Sequence, residues 1–376
     1  MSKQIYFQPQ YVGKFICDAS KCKVTCCERS WNIEIDAATY EKYSAFSSEF
    51  TAQFNYSESK QKYLLTKHPC PFLTEKKLCR LQLEHGEDFI SLTCKNYPRV
   101  TNCFGKFFER SLTLTCPVAA ELILFEREPM KFELVEVSEN LDRILINPVY
   151  LDEKVLANAI KIQIALMSIL QERTLTIDQR LIVLGFFLDR LDEIFSDKVF
   201  SEEALIKLIA AYESKIFLAE QVPRMIRSIF FDAKKFSAIM HDVTKNFHGE
   251  IKLTNNIRKI AANYEQLSPF RKIFLNEHST FLENFLVNEL FMNCYPWRFE
   301  GQIIKNFGVF IIKYKIFELI LVEAALKKFL SAEDLISLTG WFTSQLDHVA
   351  TYHQKIFDYL RDKDDALNLM DSLLEG

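Results

Sequence analysis

Nine of the ten cysteines in this 376-residue chain lie between Cys17 and Cys116, and Cys294 alone lies outside that interval. The N-terminus lacks the apolar core of a signal peptide, so we expect the protein to be cytoplasmic. In a reducing compartment, such a concentration of thiols indicates a metal site rather than a disulfide framework. The length of the chain and its 49% hydrophobic content allow two domains, each with its own core.

The cysteine spacing leaves two kinds of metal site open. The pattern is Cys17-x4-Cys22-x3-Cys26-Cys27, followed by Cys70-x8-Cys79, Cys94, Cys103 and Cys116. Thiolates are soft ligands that favour zinc or iron–sulfur clusters. Zinc sites usually show two closely spaced pairs, whereas the ligands of a cluster need only converge in space, so a cluster fits the wide Cys70–Cys79 interval at least as well. Cys103 and Cys294 are more typical of buried packing residues.

Charge and hydropathy argue against two classes of partner. The net charge of −4 and a pI near 6.1 provide no basic field for nucleic acid or an anionic membrane. The apolar stretch 303–325 is interrupted by five charged residues, including Lys313 and Glu318. Each would cost about 2.5–3.5 kcal/mol in hydrocarbon, so we predict a buried or amphipathic helix in a soluble protein.

The pattern of turns and apolar residues changes along the chain. Short alternating runs at 31–35, 111–115 and 132–137 predict strands, and the first part is rich in turn-formers. Beyond Pro148, apolar residues recur at three- and four-residue spacing, which predicts helices. The predicted helices are Glu153–Gln171, Asp178–Phe195, Glu202–Glu220, Pro269–Met292, Gln302–Leu330, Ala332–Thr339 and Thr343–Asp362. Ser201 and Ser331 suit helix N-caps.

These signals together predict a mainly α fold with a small loop-rich, cysteine-rich α+β N-terminal module. We place the cysteine-rich metal or iron–sulfur module at 1–125 and the helical domain at 126–376. Two familiar motifs are missing. A radical-type cluster motif would need a third cysteine at position 29, where the chain has Arg29, and no glycine-rich dinucleotide turn is present. A nucleotide-like cofactor must therefore bind in another way.

Several segments, taken in order, resemble the flagellin lysine N-methylases and, more broadly, bacterial cysteine-cluster proteins that chelate zinc or iron. The resemblance is strong to Cys116 and looser beyond it, where Glu283-Asn284-Phe285-Leu286 is similar to a Glu-Asn-Tyr-Leu segment of that family. The N-terminal segments are Tyr11-Val12-Gly13-Lys14-Phe15-Ile16-Cys17, Cys22-x3-Cys26-Cys27, Cys70-Pro71-Phe72-Leu73, Leu78-Cys79-Arg80-Leu81, Leu92-Thr93-Cys94-Lys95-Asn96-Tyr97-Pro98-Arg99 and Leu112-Thr113-Leu114-Thr115-Cys116-Pro117.

The resemblance implies a methyltransferase that uses S-adenosylmethionine to methylate lysines of flagellin, its protein substrate. It also implies a cysteine-bound iron–sulfur cluster, expected to be of the 4Fe-4S type. The cluster-ligand candidates on the family pattern are Cys17, Cys22, Cys26, Cys27, Cys70, Cys79, Cys94 and Cys116.

Lysine must lose a proton before its nitrogen can attack a sulfonium methyl group, so the site needs a base or a desolvating pocket. Glu283 and Asn284 are the predicted catalytic residues, because an acid–amide pair in an apolar helix is costly to bury without partners. A polar pair that packs helices is the alternative. Candidates close to the cysteines are Glu84, His85, Tyr97 and Glu109, although each is individually more typical of a solvated surface residue.

A second function from a different class stays open at this point. The chain could be a non-catalytic zinc- or iron-binding adaptor whose helical body docks a partner. Binding of S-adenosylmethionine would separate the two hypotheses.

Overall fold

The computed structural model describes the chain except residues 1, 20–21, 23–24, 29–30, 59–61, 142–143, 197–199, 246–250, 300–301, 348–349, 362–364 and 376. Arg29 therefore lies outside the described residues. The chain forms two compact units. The first, called here the strand-rich unit, comprises Met1–Leu122 and Lys131–Pro148, and the second, the helical unit, comprises Ile123–Met130 and Val149–Gly376. The domain bounds 1–125 and 126–376 stay a prediction.

Eight strands in the described residues form two sheets. They are β1 (Ser2–Pro9), β2 (Ile33–Ile35), β3 (Phe54–Ser57), β4 (Lys62–Leu65), β5 (Arg99–Phe104), β6 (Phe107–Leu112), β7 (Phe132–Glu139) and β8 (Ile146–Val149). The larger sheet has the order β7-β1-β6-β5-β8, and the smaller has the order β2-β4-β3.

The larger sheet combines a local hairpin with long-range pairing. Strands β5 and β6 are antiparallel and close on a two-residue turn whose first residue, Gly105, has a φ of 61°, as such hairpin turns require. Strand β1 pairs antiparallel with β7, from Ser2 opposite Glu139 to Pro9 opposite Phe132, and parallel with β6. The smaller sheet packs on an aromatic cluster that includes Tyr43, Phe50 and Phe72.

The helices are short in the strand-rich unit and long in the helical unit. The early ones are α1 (Tyr11–Lys14), α2 (Ala37–Phe46), α3 (Ser48–Thr51), α4 (Arg80–His85), α5 (Leu92–Asn96) and α6 (Pro117–Leu124). The later ones are α7 (Glu153–Leu170), α8 (Ile177–Ser196), α9 (Glu202–Glu213), α10 (Lys215–Arg227), α11 (Ala233–Thr244), α12 (Ile251–Ala262), α13 (Tyr264–Glu277), α14 (Ser279–Met292), α15 (Ile303–Ala325), α16 (Ala332–Asp347), α17 (Ala350–Tyr359) and α18 (Ala366–Leu373).

Helices α14 and α15 form the centre of the helical unit. Every residue of α14 from Phe281 to Met292 is buried, and α15 is buried along almost its whole length. Four of the five charged residues of α15, all but Lys305, therefore lie in the protein interior, which confirms the predicted buried helix. None of the helices in the described residues is long and apolar enough to cross a membrane.

The mainly helical fold with a strand-rich N-terminal region is confirmed, and most differences concern where helices break. The predicted helix 202–220 is two helices, because Ser214 caps a new one by accepting a hydrogen bond from Phe217 N at 3.3 Å. The predicted helix 269–292 begins earlier and breaks at His278. The predicted caps Ser201 and Ser331 are confirmed by hydrogen bonds from Ala204 N and Asp334 N.

Candidate functional site

The eight candidate ligand cysteines lie in loops and at helix ends of the strand-rich unit. Four of them follow α1 in the loop that leads to β2, namely Cys17, Cys22, Cys26 and Cys27. Cys70 follows β4, Cys79 is the N-cap of α4, Cys94 lies in the single turn of α5, and Cys116 directly precedes α6. Loops and short helices of this kind bring distant thiols together without regular spacing in the sequence.

One group of thiols meets around Cys70. Cys70 N donates to Cys27 O at 2.8 Å, and the Cys27 thiol donates to the Cys70 sulfur, which lowers the pKa of Cys70. Contact with Cys26 and Cys70 raises the pKa of Cys27. Cys94 is exposed as a residue, yet the protein packed around its thiol, together with the nearby Cys26, Cys79 and Cys70, raises its pKa to about 12. This group therefore contains five neighbouring thiols, those of Cys26, Cys27, Cys70, Cys79 and Cys94.

A second group of thiols lies around Cys116. Burial, together with the nearby Cys22 and Cys17, raises the pKa of the Cys116 thiol to about 11. Burial also raises the pKa of Cys17, as does Cys26, so Cys17 lies near thiols of both groups. The structure thus brings all eight predicted cysteines into one neighbourhood of the strand-rich unit.

These thiols are soft donors suited to a cluster, but their arrangement fits one only in part. Among the residues that the structure describes, no three His, Cys, Asp or Glu side chains are placed to hold one metal ion. Cys103 differs from the eight, because burial is the cause of its raised pKa and its thiol contacts Gly105 O at 3.6 Å. Cys294 is buried in the helical unit, which agrees with the predicted packing role.

The base candidates near the cysteines lie in varied surroundings. Glu84 is exposed on α4, and the ring of His85 packs at 4.6 Å from that of Phe46. Tyr97 forms a 3.1 Å hydrogen bond with the Thr115 hydroxyl. Glu109 is fully buried in β6. The solvated-surface interpretation therefore suits Glu84 and does not suit Glu109.

Glu283 lies in the helical unit and is held by two arginines. Its side chain is 1% exposed. Arg173 donates from Nε to both carboxylate oxygens at 3.1 Å and from Nη2 to one of them at 2.8 Å. Arg180, which is also buried, donates to the other oxygen at 2.7 Å. Each oxygen thus accepts two hydrogen bonds, an arrangement that stabilises the charged carboxylate and occupies its lone pairs.

Asn284, the next residue, holds a backbone segment of the same unit. Its amide nitrogen donates to Leu124 O at 3.3 Å and to Glu126 O at 2.8 Å. Arg173 adds a hydrogen bond to Arg127 O at 2.7 Å. Glu283 and Asn284, together with Arg173, therefore brace the segment 123–130 through its carbonyl groups. The Asn284 side-chain oxygen is buried and has no partner among the described residues.

Replacement of Asn284 by alanine should release this segment. Loss of the two hydrogen bonds leaves two carbonyl groups without their donor, which we expect to reduce the free energy of unfolding by about 1–3 kcal/mol. Hydrogen–deuterium exchange should show faster exchange of the amides in 123–130. Asn276→Ala, a change at an exposed position of α13, is the control and should leave that exchange unchanged. Equal exchange in the two variants would contradict the bracing role.

A buried ion network adjoins this brace and was not predicted from the sequence. Lys315 donates to Asp178 at 2.7 Å and to Glu318 at 2.9 Å, and Arg271 pairs with the same two acids at 3.3 and 3.2 Å. Burial opposes ionisation of Asp178, but Lys315 and Arg271 hold its pKa below its ordinary value. The sequence signal that could have indicated this network was the presence of charged residues at apolar positions of the predicted helices.

A cavity of about 560 Å³ opens beside the brace and the network. Its wall is formed by 173–180, where the chain enters α8, by 271–273, 275–276 and 279 at the α13–α14 junction, and by Glu375. Four basic and two acidic side chains line it. All of these residues belong to the helical unit.

Comparison with known proteins identifies relatives of part of the chain. A 137-residue stretch is 31% identical to the lysine-N-methylases of Salmonella typhimurium and Salmonella choleraesuis, and it covers 33% of this chain and 33% of each relative. A 135-residue stretch is 33% identical to the flagellar biosynthetic protein FliU of Salmonella muenchen and covers 33% of this chain and 79% of that protein. The match thus spans about a third of the length of the two methylases. No solved structure matches the chain.

A family model covers a larger part of the chain than these stretches. The FliB lysine N-methylase C-terminal domain matches residues 163–374. This interval includes Glu283, Asn284 and both arginines of the brace, together with most of the cavity wall. Because the match exceeds half of the sequence, the chain belongs to the FliB lysine N-methylase family.

Proposed function

We propose that this protein is a protein-lysine N-methyltransferase that uses S-adenosylmethionine and acts on flagellin in the cytoplasm. The observation that carries the proposal is the match of 163–374 to the FliB lysine N-methylase C-terminal domain. The names of the relatives support it, since they include lysine-N-methylase and a flagellar biosynthetic protein. The cysteine segments quoted above add an independent resemblance to flagellin methylases.

The proposed reaction is a direct displacement. The neutral side-chain nitrogen of lysine attacks the methyl carbon of the sulfonium, a carbon–nitrogen bond forms, and the methyl–sulfur bond breaks. The electron pair of that bond stays on sulfur, so S-adenosylhomocysteine leaves neutral at that atom. Lysine ordinarily carries a proton at neutral pH, so a water-poor pocket would lower its pKa, and a base or solvent would take the proton.

For Glu283 and Asn284 the geometry supports a positioning role in this reaction. The Glu283 carboxylate accepts four hydrogen bonds from Arg173 and Arg180, so it holds those guanidinium groups in place. Asn284 fixes the neighbouring backbone. Both residues lie in the part of α14 that is buried throughout, Phe281–Met292, which makes it a rigid support.

We keep a cysteine-ligated iron–sulfur cluster as part of the proposal, with the eight motif cysteines as its candidate ligands. Support comes from the soft donor set and from the mutual proximity of the thiols around Cys70 and Cys116. A cluster supplies Lewis-acid or redox chemistry when it is bound. The methyl transfer described above involves only the chain, S-adenosylmethionine and the target lysine.

Mass spectrometry tests the activity. Incubation of the anaerobically purified protein with S-adenosylmethionine and flagellin from the same organism should add single-methyl mass increments to flagellin. Omission of S-adenosylmethionine should abolish them. Unchanged flagellin mass together with intact S-adenosylmethionine binding would exclude flagellin as the substrate. Absence of both would favour the alternative, a non-catalytic zinc- or iron-binding adaptor.

A further inference from the structure

The cavity beside the Glu283 brace has the size and the mixed charge of a small-molecule site. Its volume of about 560 Å³ lies within the range of roughly 300–1,000 Å³ usual for ligand pockets. Apolar side chains, among them Ile273 and Leu275, share the wall with the charged groups. A ligand bound here would need both ionic groups and an apolar part.

Two cationic groups of the cavity wall share one acid. Arg173 and Arg180 both bind the single carboxylate of Glu283. The charges of Glu128 and Glu172 act on Arg173 and Arg180 respectively, but neither acid forms a hydrogen bond with these arginines. Arg173 is also the accessible member of the pair, with 36% of its side chain exposed. An anionic group is therefore favoured near Arg173.

Arg173 also has unused hydrogen-bonding capacity. A guanidinium group carries five N–H groups. In this structure Nε and one hydrogen of Nη2 point to Glu283, and one hydrogen of Nη1 points to Arg127 O. One N–H on each terminal nitrogen is left without an acceptor among the described residues. N–H groups of a guanidinium are strong donors to the oxygens of a carboxylate.

A second group of charged residues on the cavity wall contains both of its acids. Asp178 and Glu375 pair there with Arg271, and Glu375 also pairs with Lys272. In the network of these four residues with Lys315 and Glu318, three acids face three bases, so the charges balance. A cationic group is thus better placed beside these acids than near Arg173.

We propose that this cavity binds S-adenosylmethionine, with the carboxylate of its amino-acid part on Arg173 and its sulfonium toward Asp178 and Glu375. The inference rests on the proposed function, because the methyl donor follows from that function. It locates the donor in the helical unit, on a wall braced by Glu283, at residues that had no assigned role. The apolar side chains would contact the uncharged parts of the ligand.

Equilibrium dialysis of full-length protein with labelled S-adenosylmethionine tests the site. Asn276→Trp places an indole on the cavity wall at an exposed helix position, and it should weaken binding by at least about tenfold. Glu277→Trp is the matched control, since it puts the same side chain on the next, exposed residue of α13, which does not line the cavity. It should bind like the unaltered protein. Ser279→Trp, at another residue that lines the cavity, provides a second variant that fills it, and circular dichroism should show that all three variants are folded.

The outcomes separate the two proposals. If Asn276→Trp and Ser279→Trp both lose S-adenosylmethionine binding and Glu277→Trp keeps it, the result supports the proposed site. If both of these variants bind S-adenosylmethionine as the unaltered protein does, the proposed location of the site is wrong, while the proposed function is unaffected. If the unaltered protein does not bind S-adenosylmethionine, both proposals fail, and if it binds only inorganic phosphate, the cavity is an anion site of another kind.

Discussion

Arg180→Leu is expected to reduce the free energy of unfolding of the helical unit by about 3–5 kcal/mol, the range typical when a buried ion pair loses one partner. The side chains of Arg180 and Glu283 are 4% and 1% exposed, and their closest atoms are 2.7 Å apart. Removal of Arg180 leaves the Glu283 carboxylate with only the half-exposed Arg173. It also removes the donor to Leu170 O and Leu175 O.

The same substitution at Arg190 is the matched control for this prediction. Arg190 lies on the same helix and pairs with Glu193 at 2.6 Å, but both side chains are mostly exposed. Exposed ion pairs contribute about 0–1 kcal/mol, so Arg190→Leu should change the urea midpoint little. The double variant Arg180→Leu/Glu283→Leu should recover part of the loss, because no charge is left buried. Equal effects at positions 180 and 190 would contradict the account of the brace.

Substitution of the clustered cysteines should have the largest effect on metal content. We expect Cys22→Ser, Cys26→Ser, Cys70→Ser and Cys94→Ser each to lower the iron and acid-labile sulfide of anaerobically purified protein. A hydroxyl is a much harder ligand than a thiolate, so iron–thiolate bonding is lost at the altered position. The visible absorbance from thiolate-to-iron charge transfer should fall in parallel.

Cys103→Ser and Cys294→Ser are the controls for the cysteine series. Cys103 lies on β5 and contacts a backbone carbonyl, and Cys294 is buried in the other unit, so both variants should keep nearly full iron content. Full iron content in all four of the first variants would show that the ligand assignment is wrong. Colourless protein that contains only zinc would exclude the cluster and leave a zinc site.

The sequence predicted much of the helical unit because its signals are local. The predicted helix Glu153–Gln171 is α7 to within one residue, and the apolar stretch 303–325 is α15. The larger sheet depends on pairings that join distant parts of the chain, such as β1 with β6 and β7. Residues 2–9 were not predicted as a strand, because periodicity within a segment does not show which partner a strand will find.

In the candidate site, too, local sequence signals were predictable and contacts between distant parts of the chain were not. A metal site among the N-terminal cysteines was predicted from their number and from the expected compartment, and the family resemblance supplied the set of eight, whose thiols are near neighbours. Glu283 and Asn284 were recognisable as costly polar residues in an apolar helix. Their partners Arg173, Arg180 and the carbonyl groups of 123–130 are more than 100 residues away in the sequence, so their arrangement required the three-dimensional structure.

Transfer of an isotopically labelled methyl group from S-adenosylmethionine to flagellin tests the central claim most directly. We expect the unaltered protein and Glu277→Trp to place label on the side-chain nitrogen of flagellin lysines. Peptide mass spectrometry would locate the labelled residues. Asn276→Trp should transfer much less label under the same conditions. Absence of labelled lysine, with folded protein that binds S-adenosylmethionine and retains its metal, would contradict the proposed action on flagellin.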